Sequence, residues 1–397
     1  MHSYYFQDLK FSLNNNKLRV FLYKIFYREF EISSEFKEKF SVKDGAIFSE
    51  NKQELNALIN EILFQINDYV INSITKKKTK YINKNSEIPL IGHSAFGIVD
   101  RNTNWIEVKP ITGCNLDCIF CSVDENKRAY DFVVEVDYLV EEIFKLADLK
   151  KNKVTIVINA HGEPMLYAKL PELISKLKQN NKVEKVILIT NGTLLDIERI
   201  KELESANLDQ VNISLNSIDT EKGKFLSNNQ SYDSKKIINS ILYLKKKTKI
   251  NVVIAPVYLH KINEDQIEQI VKFGKENDIP VAIQNFLEYK TGKRPTKQIS
   301  FEKFYNKLKE WESKYETNLT KFDFDIKKDK VLDLPFHKNQ VIDVELRSFG
   351  RFGNEMLGVV PGINRVVSVL NSNKKIGEKQ KVKLIRVKHN IFVGEAI

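Results

Sequence analysis

The chain of 397 residues is 42% hydrophobic and 29% charged, a folding rather than a disordered composition, and at about 150 residues per domain it is long enough for two or three domains. No apolar run approaches the roughly 20 residues a membrane helix needs, and Met1 to Asp8 lacks the basic-then-apolar order of a secretory signal, so a cytoplasmic protein with no membrane contact is expected. The net charge of +11, from 63 basic and 52 acidic residues, permits nucleic-acid binding but does not by itself indicate it.

Residues 1–100 read as a mixed α/β region. One helix stands out over 53–74, where Leu55, Leu58, Ile59, Ile62, Leu63, Ile66, Val70 and Ile74 recur at helical spacing. The run Lys76-Lys77-Lys78-Thr79-Lys80 would then be its solvated, dipole-compatible end. From about 105 to 289 short apolar runs alternate with amphipathic stretches. Strands are predicted over 105–110, 154–159, 186–190, 210–215, 251–256 and 281–285. Helices are predicted over 137–147, 170–179, 196–206, 235–247 and 264–277. That alternation predicts βαβ units, a parallel sheet and an α/β core over 101–300. A helix over 301–315 opens a helical connector over 301–333.

Beyond 334 the pattern changes to short alternating runs punctuated by Gly350, Gly353, Gly358, Gly362, Gly377 and Gly394. A small all-β barrel over 334–397 is expected. Its 11 Lys/Arg against 5 Asp/Glu give +6, more than half of the chain's positive surplus.

The three cysteines, Cys114, Cys118 and Cys121, lie within eight residues in the pattern Cys-x3-Cys-x2-Cys. An odd count at this spacing is no disulfide framework. Three thiolates on one loop can ligate three irons of a 4Fe-4S cluster, and with no fourth cysteine one iron stays open to another ligand. A structural zinc site with His161 as fourth ligand and three inert thiols are the alternatives that spacing leaves open.

Cys114, Cys118, Phe120 and Cys121 resemble the signature of radical S-adenosylmethionine (radical SAM) enzymes. In that family S-adenosyl-L-methionine chelates the open iron and is reductively cleaved to a 5′-deoxyadenosyl radical, which abstracts a substrate hydrogen. The resemblance implies a partial (β/α)6 barrel with its chemistry at the C-terminal ends of the strands. Ala160-His161-Gly162-Glu163-Pro164, after the 154–159 strand, resembles the family's Gly-Gly-Glu-Pro motif, with His161 in place of the first glycine. It implies cofactor contacts from Gly162, Glu163 and Pro164. Asn191, Ser214 and Asn216, at later strand ends, resemble ribose- and carboxylate-contacting positions, and Ile254-Ala255-Pro256 the backbone that holds adenine. An electron donor such as ferredoxin or flavodoxin is implied as a partner.

Residues 334–397 resemble a TRAM domain, an OB-like barrel found on RNA-modifying enzymes. This implies RNA, tRNA first, as partner, with Arg347, Arg351, Lys383, Arg386 and Lys388 as candidate RNA contacts and Phe349 and Phe352 as stacking surfaces. Methylthiotransferases are disfavoured, and RNA methylases that pass a methyl through cysteine and peptide maturases with auxiliary clusters are excluded, because no further cysteine exists. A radical SAM enzyme acting on a small molecule, lipid or peptide, and a non-catalytic metal-binding RNA adaptor, are the competing readings. A truncation after Lys330 is expected to leave the cofactor site intact.

Overall fold

The computed structural model describes residues 2–4, 9–322 and 324–397. Met1 and Tyr5 to Asp8, part of the stretch read for a signal, and Asp323 lie outside them. Among the described residues no helix is long and apolar enough to cross a membrane.

The core is a six-stranded sheet in the order Asn251–Ile254, Gln210–Ile213, Val183–Thr190, Val154–Ile158, Trp105–Lys109 and Gly97–Asp100. The first five run parallel; the last, which the periodicity did not pick out, is antiparallel. Every residue of Val154–Ile158 is buried, as in a strand covered on both faces. The covering helices include Val136–Leu149, Leu170–Leu177, Ile197–Ser205, Ser234–Lys247 and Glu264–Glu276. Their starts follow local chemistry: Asp196 and Asp233 cap theirs by accepting from backbone N–H groups of the first turn.

The predicted sixth strand is corrected to Gln284–Asn285, paired with Val257–Tyr258. Val281 makes a single bridge with Ile254. Pro256, lacking an N–H, interrupts the ladder there. The strands follow one another in chain order and do not close, giving a partial α/β barrel.

A second six-stranded sheet runs Tyr130–Val134, Lys78–Ile82, Val70–Asn72, Phe26–Glu31, Lys17–Leu22, Leu9–Asn14. It borrows Tyr130–Val134 from the segment after the cysteine loop. The helix expected over 53–74 spans Lys52–Asp68, burying Leu55, Ile59, Ile62 and Ile66. Tyr69 turns extended (φ −161°), and Val70 and Ile71 pair antiparallel with Thr79 and Lys78. The lysine run therefore lies in a hairpin, whose turn is held by Asn72 Oδ1 accepting from Ile74 N (2.9 Å) and Thr75 N (3.3 Å).

The Phe301–Tyr315 helix buries Phe304, Leu308 and Trp311. Among the described residues of the helical connector expected over 301–333, that stretch alone is helical: Glu316 takes a left-handed conformation (φ 48°), and residues near 329 lie against the core. There Asp329 accepts from the backbone N of Lys151 (2.8 Å) and Asn152 (3.0 Å).

The C-terminal strands Val341–Phe349, Glu355–Val359, Val366–Leu370, Val393–Ala396 and Lys379–Arg386 form a closed barrel. Strict alternation in Lys379–Lys383 and Val341–Val344 points one row inward, where Ile342, Val344, Val382, Leu384 and Phe392 make a small core. Leu357 and Val366 instead join the large core of the rest of the chain. The barrel is docked by main-chain bonds: Val366 N donates to Ile91 O and Phe392 N to Gly92 O, both 2.9 Å. Gly92 has φ +132°, and a Cβ there would lie 2.0 Å from the Val366 carbonyl oxygen, so this approach requires glycine.

Candidate active site

The cysteine loop leaves the Trp105–Lys109 strand through Thr112–Gly113, which pairs in parallel with His161–Gly162. The two sequence motifs are thus joined by a backbone ladder. A Cβ on Gly162 would lie 2.1 Å from the Gly113 carbonyl oxygen, and Glu163 N donates to that same oxygen at 2.8 Å. Farther along, the loop is held by Asp117 N to Ser227 O (3.1 Å), Ile119 N to Leu226 O (3.0 Å) and an ion pair between Asp117 and Lys293.

Cys114, Cys118 and Cys121 line a cavity of about 630 Å³ together with Phe120, His161, Gly162, Glu163, Asn191, Ser214 and Asn216. Pro164 is a correction: it is buried as the first residue of a 3-10 turn, Pro164–Leu166, behind that wall. Burial pushes all three thiols up, Cys118 to about 12. Backbone N–H donation at Val123 and the charges of Arg351, Arg128 and Lys293 partly offset this at Cys121.

Glu163 is 1% exposed. Its Oε1 accepts from Thr190 Oγ1 (2.6 Å) and Met165 N (2.9 Å), and its Oε2 from Asn191 N (2.8 Å). Burial raises its pKa, and these three donors pull it back. Asn191 Nδ2 donates to Asn115 Oδ1 at 3.0 Å, and Asn115 Nδ2 to Thr193 Oγ1 at 2.8 Å. The strand end after Thr190 therefore clamps both motifs. Asn115 and Thr193 were missed as framework residues, although Thr193 directly follows Thr190-Asn191-Gly192, the polar strand end that the sequence picks out.

Asn216 accepts from Val257 N (2.8 Å) and donates to Ser214 O (3.0 Å), so it ties two strand ends together while facing the cavity. Part of the Ile254-Ala255-Pro256 backbone is already bonded. Ala255 N and Pro256 O are taken by Ile213 O and Gln284 N, and it is Val257 that reaches the cavity.

The candidate RNA contacts separate. Arg347 is held by Glu87 (2.8 Å) and Glu345 (2.9 Å). Arg351 is 3% exposed, too deep to meet a phosphate strand, which corrects that expectation. Lys383, Arg386 and Lys388 are exposed. Phe349 stacks on Tyr130 (4.9 Å between ring centres, 8° between planes), so one of its faces is already covered. Arg386 lines the mouth of the cavity, and it also lines an adjoining groove with Lys338, Lys388 and His389.

A single ion would draw its ligands to about 2.0–2.3 Å, yet among the described residues no three His, Cys, Asp or Glu side chains gather in that way. His161 Nδ1 is engaged by Arg351 NH1 at 2.6 Å. That nitrogen is therefore not available as a fourth zinc ligand. Three thiols on one wall, close enough for the charges of Cys118 and Cys121 to act on Cys114, fit separate corners of a cluster instead.

Residues 108–274 match the family model of the Radical SAM superfamily. An uncharacterized protein of Methanocaldococcus jannaschii is 35% identical over 425 residues, covering 96% of each chain. The chain belongs to the radical SAM superfamily, whose members use a 4Fe-4S cluster and S-adenosylmethionine. The GTP 3',8-cyclase of Peptoclostridium acidaminophilum is 29% identical over 49% of this chain and 58% of its own length. Among solved structures, SuiB of Streptococcus suis has a TM-score of 0.45 at 16% identity, covering 79% of this chain and 70% of that one.

Proposed function

We propose that this radical SAM enzyme modifies RNA, with tRNA as the first substrate to test. The observation that carries the reading is Arg386, which belongs at once to the wall of the cavity and to the basic groove beside it. A nucleotide turned out of a strand would enter the cavity while its neighbours' phosphates lie on Arg386, Lys388 and Lys338. The resemblance of the 334–397 sequence to a TRAM domain and the segment's +6 charge support the same reading.

In this reading Cys114, Cys118 and Cys121 hold the cluster, while Gly162, Glu163, Asn191, Ser214, Asn216 and Phe120 surround S-adenosylmethionine. When bound and reduced by a donor such as ferredoxin or flavodoxin, this pair supplies a 5′-deoxyadenosyl radical. The chain's own residues bind and shield. Glu163, fixed by three donors, offers its remaining lone pairs to an ammonium group. The walls from Tyr232, Phe286 and Leu287 keep the reacting centre away from water.

The test is mass spectrometry of cellular RNA with and without the gene, together with tRNA binding by the anaerobically purified protein. Loss of one modified nucleoside supports the reading; unchanged RNA and no tRNA binding reject it. A second reading, a free nucleotide as substrate, draws on the partial likeness to GTP 3',8-cyclases and on the same cationic mouth. Nucleotide turnover without RNA binding would favour it.

A further inference from the structure

In the turn between the first two barrel strands, residues 350–354, Gly350 and Arg351 are buried while Gly353 and Asn354 are exposed. Glu355 Oε2 accepts from Arg351 N (2.8 Å) and Phe352 N (3.2 Å), while its Oε1 lies 3.2 Å from His93 Nε2. The Arg351 carbonyl accepts from Ala129 N (2.8 Å) and Tyr130 N (3.3 Å). The turn is therefore fixed on both sides, and it carries the Arg351 guanidinium to 2.6 Å from His161 Nδ1.

A guanidinium has donors and no acceptor, so Nδ1 accepts. The ring is then neutral, with its proton on Nε2. Burial and the charges of Lys109 and Arg351 keep it neutral, lowering the His161 pKa. His161 is itself immobilised: its carbonyl accepts from Arg128 NH1 at 3.1 Å, and its backbone pairs with Thr112 of the cysteine loop. His161 lines the cavity beside Cys114, Gly162 and Glu163. Arg351 itself is not on that wall.

We propose that Arg351 is a positioning residue of the cofactor site, reaching it from the C-terminal barrel. By occupying Nδ1 it leaves His161 Nε2–H as a fixed donor to the cavity. The group recognised is an anionic acceptor of the bound cofactor, the carboxylate of S-adenosylmethionine, while Glu163 faces the ammonium. The barrel tip is thus part of the apparatus that binds the cofactor, whatever substrate the barrel also meets.

The experiment is equilibrium dialysis of S-adenosylmethionine against the reconstituted full-length holoenzyme, with iron content and thermal melting followed in parallel. Arg351→Met should weaken binding about 10-fold at unchanged iron content, the usual scale for losing an orienting partner. Arg351→Lys should recover part of that loss. His161→Leu should weaken binding by a similar factor, and the double variant should be no worse than His161→Leu alone, because Arg351 acts through the ring. If Arg351→Met does not fold, His161 still decides. His161→Gln can accept from Arg351 and donate through one amide, so it should bind within about 3-fold of the parent. Wild-type affinity in His161→Leu, or additive losses in the double variant, overturns the proposal. None of these outcomes depends on whether the substrate is RNA.

Discussion

The parallel-sheet core and the C-terminal barrel take part in the site in opposite ways. In the core, each contribution lies at a strand end next to its own motif, as with Cys114 after Trp105–Lys109 and Glu163 after Val154–Ile158. In the barrel, Arg351 reaches His161 across 190 residues of chain, and Arg386 arrives at the cavity mouth from a strand facing mostly solvent. A site made at strand ends is written locally. A site completed by docking depends on which surface two folding units share, and Gly92 sets that surface.

That difference suggests experiments, ordered by expected effect. Cys118→Ala should abolish cluster binding, from about four irons per chain to almost none in anaerobic reconstitution, while leaving the barrel folded by circular dichroism. Truncation after Lys330 was expected to spare the cofactor site. The docked barrel reverses this: the cut removes Arg351 from His161 and leaves Ile91 and Gly92 without their barrel partners. Loss of S-adenosylmethionine binding, measured by dialysis, is now the expected outcome; full retention would return the barrel to an appended unit.

A milder break is Gly92→Ala, which combines a strained φ with a 2.0 Å clash. It should cost about 3 kcal/mol in denaturant unfolding and lower the melting temperature. The docking should also be acid-sensitive. The Glu355 carboxyl is buried, which alone would raise its pKa, but bonds to His93, Ser368 and the Phe352 backbone hold it at about 2. A depressed carboxylate stabilises the fold above its unfolded value near 4.5 and loses that contribution as pH falls toward 2. Melting curves should show this loss, and Glu355→Gln should flatten it. The smallest effect belongs to Arg386→Ala. Removing one phosphate contact should reduce the salt slope of tRNA binding by about 0.7, with cofactor affinity unchanged.

How much was legible follows the same division. Cys114, Cys118, Cys121 and Gly162-Glu163 could be read because their chemistry sits in a few consecutive residues between strong βαβ periodicities. The helix over 53–74 was read too long because Val70 and Ile74 happen to continue the apolar spacing, although Val70 and Ile71 belong to a strand. Gly97–Asp100 and Tyr130–Val134 went unread because short apolar runs carry no sign of their sheet partner. Charge counting grouped Arg347, Arg351 and Arg386 together; burial, ion pairing and exposure at a cavity mouth then gave them three different roles. Composition cannot separate these, since each depends on a neighbour far away in sequence.

The two-residue ladder between Thr112–Gly113 and His161–Gly162 has a dynamic consequence. Gly162 lets the Gly113 backbone approach, and Glu163 N donates to the Gly113 carbonyl, so neither motif can drift without dragging its counterpart. The amides of this ladder cannot open locally without parting the cysteine loop from Glu163. Their hydrogen exchange should accordingly track opening of the central sheet rather than the faster breathing of surface loops. The halves of the cofactor cradle then appear together or not at all, and a partly unfolded chain would hold neither half in working shape.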